Sequence, residues 1–124
     1  MKGKENDLAA DSKTFALRIV ELYRLLSFEK KEFVMLRQLL RSGTSIGANI
    51  AEAQYAQSKA DFLAKMTIAL KEASETLYWL QLLSEAGFIL REDFDSLERL
   101  NNSLMARLVS SVKTVKKNIK TRVA

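Results

Sequence analysis

Residues 41–53 read RSGTSIGANIAEA, and eleven of these thirteen positions carry no charge. Two glycines, Gly43 and Gly47, stand four residues apart in a chain otherwise rich in Leu, Ala, Lys and Glu. A glycine inside a helix is less favourable than alanine by about 1 kcal/mol, so a stable helix here needs a compensating contact. Two structures would explain the stretch: a phosphate-binding loop, or a helix face that another backbone approaches closely.

The phosphate-binding loop is the weaker explanation. Such loops have the pattern GxxxxGK[ST], whose lysine and hydroxyl bind phosphate and metal, whereas this chain has GxxxG followed by Ala48. The apolar residues on both sides also keep a helical period through the glycines. We therefore predict a helix whose small residues pack against another helix of this chain or of a second subunit. The predicted helix-packing seam consists of Gly43, Gly47 and Ala51.

The composition predicts an all-α protein. The chain has 124 residues, 48% of them hydrophobic, with four glycines and no proline, which suits one helical domain. The apolar period predicts helices at about 8–27, 31–55, 59–86 and 91–119. A basic C-terminal end at 113–124 overlaps the end of the fourth helix. The short loops between the helices favour an antiparallel, up-down-up-down four-helix bundle. The predicted core faces include Leu77 in the third helix and Leu100 in the fourth.

Two local signals mark the ends of the third helix. Ser58 and Asp61 form the pattern S-x-x-D before an apolar run, which is a variant of the capping box. Gly87 stands where a helix commonly ends in a left-handed residue.

The second helix also carries a polar stripe, which consists of Ser42, Ser45, Asn49 and Glu52. These side chains need hydrogen-bond partners if they are buried, and the third helix offers such partners. Lys65 is expected to pair with Glu52 or Glu72.

The residue types exclude several kinds of chemistry. The sequence has no cysteine and no histidine, so it lacks the commonest nucleophile, general base and metal ligands. We therefore predict no catalytic residues, no metal site, no cofactor and no enzyme activity. The first residues, MKGKENDLAADSK, contain no apolar targeting segment, and no apolar run approaches 18 residues. Both observations predict a cytoplasmic protein without a membrane partner.

The positive charge is concentrated at the C-terminal end. The net charge is +5, and seven of the 20 basic residues follow Glu98, the last acidic residue. A basic end favours an acidic partner, and RNA or DNA is the first candidate. The alternative is a solvated helix end that only keeps the protein soluble. The candidate nucleic-acid-binding residues are Lys113, Lys116, Lys117, Lys120 and Arg122.

The motifs as a set resemble one family. The run QLLRSGTSIGANIAEA, then S-x-x-DF, then K-M-x-I-A-L-K-E-A-x-E-T-x-Y-W-L, is similar to the four-helix-bundle proteins called 23S rRNA-intervening-sequence proteins. The resemblance covers about residues 15–118. Its motif positions in this sequence are Arg41, Ser42, Gly43, Ser45, Ile46, Asn49, Glu52, Ser58, Phe62, Lys65, Ala69, Glu72, Glu75, Tyr78 and Trp79.

The resemblance implies an up-down four-helix bundle that forms a homo-oligomer, with five copies as the expected number. It implies no settled activity, but the family is similar to accessory proteins of diversity-generating retroelements, which bind nucleic acid. Two functions therefore remain open ahead of an enzyme: nucleic-acid binding, and a scaffold that binds an unidentified protein in the groove near Tyr78 and Trp79.

Overall fold

Four α-helices follow one another along the chain in the computed structural model, which describes the backbone of residues 2–123 and the side chains of residues 7–120. The helices are α1 (Lys2–Lys30), α2 (Val34–Ala53), α3 (Lys59–Glu85) and α4 (Arg91–Val123). No strand occurs in the described backbone. Each helix contacts its neighbours in sequence, and α1 also contacts α4, while the diagonal pairs bring no Cα atoms within 8 Å of each other over the described residues. This all-α arrangement is consistent with a four-helix bundle.

The turn between α1 and α2 lies later than the sequence indicates. The predicted turn fell at residues 27–30, but α1 continues to Lys30 and the helix ends before Lys31, whose φ of 53° is left-handed. Glu32 then caps α2, because its carboxylate accepts the backbone N–H groups of Met35 at 3.0 Å and Leu36 at 3.4 Å. The signal was missed because glutamate is an uncommon residue for this role.

Both signals at the ends of α3 are present in the structure. The Ser58 hydroxyl accepts the Asp61 backbone N–H at 3.0 Å, and the Asp61 carboxylate accepts the Gln57 N–H at 3.1 Å. At the other end, Gly87 has a φ of 85°, and the Phe88 N–H donates to the Leu83 carbonyl at 2.9 Å. This pair of caps fixes where α3 begins and where the chain turns towards α4.

The core includes polar residues that the apolar pattern could not place. Leu77 is half-buried and Leu100 is 36% exposed, so the predicted core faces were wrong at both positions. Thr76 and Asn101, one residue away from each, are fully buried instead. The buried stripe of α4 runs through Phe94, Leu97, Asn101, Leu104, Leu108 and Val112.

The glycines of the quoted stretch face α1 of the same chain. A Cβ atom on Gly43 would lie 3.0 Å from two side-chain carbons of Ile19. A Cβ atom on Gly47 would lie 3.3 Å from the Ser12 hydroxyl and 3.4 Å from the Ser12 carbonyl oxygen. Ala51 is exposed, so the close approach covers the two glycines and does not extend to the third residue of the predicted seam.

Candidate functional site

A charged cluster joins α2 to α3 on the outside of the fold. The Arg41 guanidinium lies 3.2 Å from the Glu72 carboxylate and also donates to the Glu75 carboxylate. The hydrogen bond to Glu75 raises the pKa of Arg41. Conversely, the bond from Arg41, followed by one from Trp79, lowers the pKa of Glu75. Both shifts favour the charged forms of Arg41 and Glu75.

Two aromatic side chains extend this cluster. The Trp79 indole N–H donates to the Glu75 carboxylate at 2.9 Å, which fixes the ring beside the ion pair. The Tyr78 ring stands edge-on to the Trp79 ring, with centroids 5.1 Å apart. Trp79 is half-buried, but Tyr78 is 56% exposed. The cluster therefore presents an oriented aromatic surface next to charged groups.

The remaining polar stripe of α2 is satisfied in several ways. Ser42 is fully buried and accepts a hydrogen bond from the Thr76 hydroxyl at 2.9 Å, beneath the charged cluster. The Ser45 hydroxyl and the Asn49 amide donate to carbonyl groups of their own helix, at 2.5 and 2.9 Å. Both of these bonds are made within α2.

Of the two pairings expected for Lys65, the structure has the one with Glu52. The ammonium lies 2.9 Å from the Glu52 carboxylate, and this hydrogen bond raises the pKa of Lys65. Glu72 is engaged by Arg41 instead. The motif residues of α2 and α3 thus form two separate ion-pair groups along one helix pair, with the aromatic residues at the Arg41 end.

The basic strip lies on the last turns of α4. Lys113, Lys116, Lys117 and Lys120 are all exposed, whereas Val115 and Ile119 between them are half-buried. The side chain of Arg122, the fifth predicted residue, lies outside the described side chains. Spacings of three and four residues put the four lysines on neighbouring positions of one helix surface. Phosphate groups are the natural ligands of such a surface.

An open cleft of about 530 Å³ lies where α4 passes the beginnings of α1 and α3. Leu8, Phe62 and Met66 form its apolar part, and Ser111, Thr114 and Asn118 line it from α4. Sequence reasoning did not find this site. The available signal was the run of uncharged polar residues at three- and four-residue spacing on α4, on the face of the helix that adjoins Lys113 and Lys117 of the basic strip.

The acidic side chains of the described residues form no cluster for a metal ion. No group of three Asp or Glu residues that would hold a metal ion occurs among them, and the whole sequence lacks His and Cys. Glu72 and Glu75, two neighbouring carboxylates of α3, are both paired with Arg41. Within the described residues, no helix carries an apolar run sufficient for a membrane span.

The fold and these surfaces define the class: a four-helix, all-α protein with ion-paired α2 and α3 and a basic end. Residues 4–110 match the family model of the 23S rRNA-intervening sequence protein, and the chain belongs to this family. The resemblance inferred from the motifs is thus confirmed at the family level. None of the curated proteins matches the chain.

A solved structure supports the same assignment. It is the crystal structure of a protein of unknown function from the S23 ribosomal protein family of Bacteroides thetaiotaomicron VPI-5482. The two chains are 53% identical, with a TM-score of 0.87, and the match covers 89% of this chain and 98% of the other.

Proposed function

We propose that this protein binds RNA or DNA through the basic strip of α4, with weak sequence specificity and without enzyme activity. One observation carries the proposal: four exposed lysines occupy the last turns of a helix in a part of the sequence that contains no carboxylate after Glu98. No Asp or Glu side chain follows Glu98, so the side-chain charge of this segment is entirely positive. The expected similarity of the family to accessory proteins of diversity-generating retroelements points to the same function.

The physical basis is the release of counterions. Each lysine that neutralises a phosphate displaces condensed cations, so the affinity falls as salt rises. Four such contacts predict a loss of roughly a hundredfold between about 50 and 200 mM salt. Contacts to phosphate carry little sequence information, which is why weak specificity is expected.

The test is a fluorescence titration of nuclease-treated protein with labelled RNA and DNA at these two salt concentrations. Changing Lys113, Lys116, Lys117 and Lys120 to Gln should weaken binding and flatten the salt dependence. Charge substitutions are preferable to truncation, because Val115 and Ile119 are half-buried on the same turns. A charge-matched control changes the exposed Lys13, Lys30, Lys59 and Lys71 to Gln. Equal effects of the two sets would mean that net charge, not the strip, drives binding.

A second candidate function is a scaffold that binds a protein partner at the aromatic surface of α3. The observation in its favour is Tyr78, which stands 56% exposed beside a Trp79 ring fixed by Glu75. Tyrosine and tryptophan are enriched among residues that dominate binding energy at interfaces. This function would be favoured if the purified protein contained and bound no nucleic acid, and if Tyr78→Ala abolished the binding of a specific protein partner.

The proposal also covers the direction of the helices within the chain and the number of chains in the assembly. We infer an antiparallel up-down-up-down bundle, supported by contacts that pair opposite ends of neighbouring helices: Asp11 with Arg107, and Arg18 with Ser96. Glu52 with Lys65 and Arg41 with Glu72 follow the same order. A homo-oligomer, five copies by resemblance to the family, and a cytoplasmic location complete the proposal.

A further inference from the structure

We propose that the cleft between α1, α3 and α4 takes one unpaired nucleobase of a single strand of RNA or DNA. This inference rests on the nucleic-acid binding proposed above, and it adds a second contact type: the basic strip holds phosphates, and the cleft holds a base. The protein would then prefer single strands to duplexes, because paired and stacked bases cannot enter without being extruded.

The apolar part of the cleft suits a flat ring. Leu8 is 5% and Met66 is 1% exposed, so they form a fixed floor, and the half-buried Phe62 adds an aromatic side chain. Proteins that bind single strands stack bases on aromatic side chains, and this works for every base because each has a π-face. A cleft of about 530 Å³ lies in the size range of small-molecule sites.

The polar wall suits the edge of a base. The Asn118 amide forms no hydrogen bond within the described residues, so it is available both to donate and to accept. The Thr114 hydroxyl donates to the Ser110 carbonyl at 3.0 Å, which leaves its oxygen as an acceptor. Bases present mixed donors and acceptors at their edges, which amide and hydroxyl groups match.

The charges place phosphates close to this wall. Thr114 and Asn118 alternate along α4 with Lys113 and Lys117, so cleft residues and lysines share the same turns. Asp7 lies on the opposite wall of the cleft. Its carboxylate would accept hydrogen bonds from base amino groups and repel phosphate. A strand lying along α4 would therefore have its backbone on the lysine side and one base turned inward.

The experiment measures the affinity of the full chain for one oligonucleotide that carries 2-aminopurine, as RNA and as DNA, each single-stranded and as a duplex. We expect the single strand to bind at least about tenfold more tightly than the duplex, with a fluorescence change that reports stacking. Phe62→Leu should weaken single-strand binding by about tenfold and leave duplex binding unchanged. The matched control is Phe28→Leu, because Phe28 is 83% exposed and does not line the cleft.

Asn118→Ala provides a second variant on an exposed position, in case Phe62→Leu fails to fold by circular dichroism. It should also weaken only single-strand binding. Equal affinity for single strand and duplex, unchanged by both variants, would overturn the cleft and leave the basic strip intact. No binding of any oligonucleotide at about 50 mM salt would overturn the proposed function together with this inference. A higher affinity for the RNA form than for the DNA form would show that the protein also contacts the sugar 2′-hydroxyl.

Discussion

At Gly47 the backbone of α1 comes close enough that side-chain size on α2 matters. A Cβ atom there would already meet the Ser12 hydroxyl at 3.3 Å, and Ser12 is itself buried and bonded to the Ala9 carbonyl at 2.8 Å. We expect Gly47→Leu to lower the free energy of unfolding by about 1–3 kcal/mol through overpacking. Urea unfolding measures this.

Ala51 supplies the matched control for Gly47, since it lies one turn further along α2 and is exposed. Ala51→Leu should change the stability by less than about 0.5 kcal/mol. If both variants unfold like the parent protein, the close approach of α1 to Gly47 contributes nothing to folding. If both are equally destabilised, the effect comes from leucine on α2 and not from the packing against α1.

Glu75 makes stability depend on pH in a defined direction. Its pKa is lowered in the folded state by the hydrogen bonds from Arg41 and then Trp79. The resulting stabilisation is present above the ordinary carboxyl pKa of about 4.3 and is lost as the pH falls through the lower, folded-state pKa. Since the side chain is 37% exposed, solvent screening limits the gain to below about 1 kcal/mol.

We therefore expect Glu75→Gln to lower the urea midpoint at about pH 7, and this deficit to shrink as the pH falls below the ordinary carboxyl pKa of about 4.3. The control is Glu85→Gln, an exposed residue of α3 without an ion pair among the described residues. A deficit of Glu75→Gln that persisted unchanged at about pH 3 would show that the carboxylate charge is not the cause.

At the scale of helices, most of this structure follows from sequence pattern. The quoted stretch is helical because its apolar residues keep the period through two glycines, and Ser58 and Gly87 give the ends of α3 because their conformations are strongly residue-dependent. The pattern fails at Leu100 and Asn101. The apolar pattern favours Leu100 as the buried residue, but the buried face of α4 contains Asn101 instead.

Asn101 is the least well satisfied buried side chain of α4. Its amide donates to the Ala73 carbonyl at 2.9 Å, but its own carbonyl oxygen has no hydrogen-bond partner. A buried polar atom without a partner is destabilising by about 1–3 kcal/mol. We expect Asn101→Leu, which is similar in size, to raise the free energy of unfolding by about 1 kcal/mol, as measured in urea.

A loss of stability in Asn101→Leu would mean that the bond to α3 outweighs the unpaired oxygen. Thr76→Val is a useful comparison, because Thr76 is equally buried but its hydroxyl oxygen lies 2.9 Å from the Ser42 hydroxyl and 2.7 Å from the Glu72 carbonyl oxygen. That variant should be destabilised, which separates a satisfied buried polar group from an unsatisfied one.

At the scale of the whole molecule, the candidate site was only partly accessible to sequence reasoning. The basic strip follows from charge alone. The sequence leaves Glu52 and Glu72 as alternative partners of Lys65, and the structure has the pair with Glu52. The cleft does not follow from the sequence, because Leu8, Phe62 and Asn118 are far apart in sequence and meet only when three helices pack. The sequence also does not show that Arg41 pairs with Glu72 and Glu75, because α3 contains several acidic residues.

The last prediction concerns assembly, which the resemblance to the family implies. Leu17 and Leu25 lie two turns apart on α1 and are 56% and 51% exposed, a position that self-association would cover. We expect the parent to sediment as a homo-oligomer across protein concentrations, and Leu17→Gln with Leu25→Gln to shift it to smaller species. Tyr55→Gln is the control, since Tyr55 is 88% exposed between α2 and α3. A monomeric parent would contradict assembly itself, whereas an oligomer indifferent to the double change would place the interface on another surface.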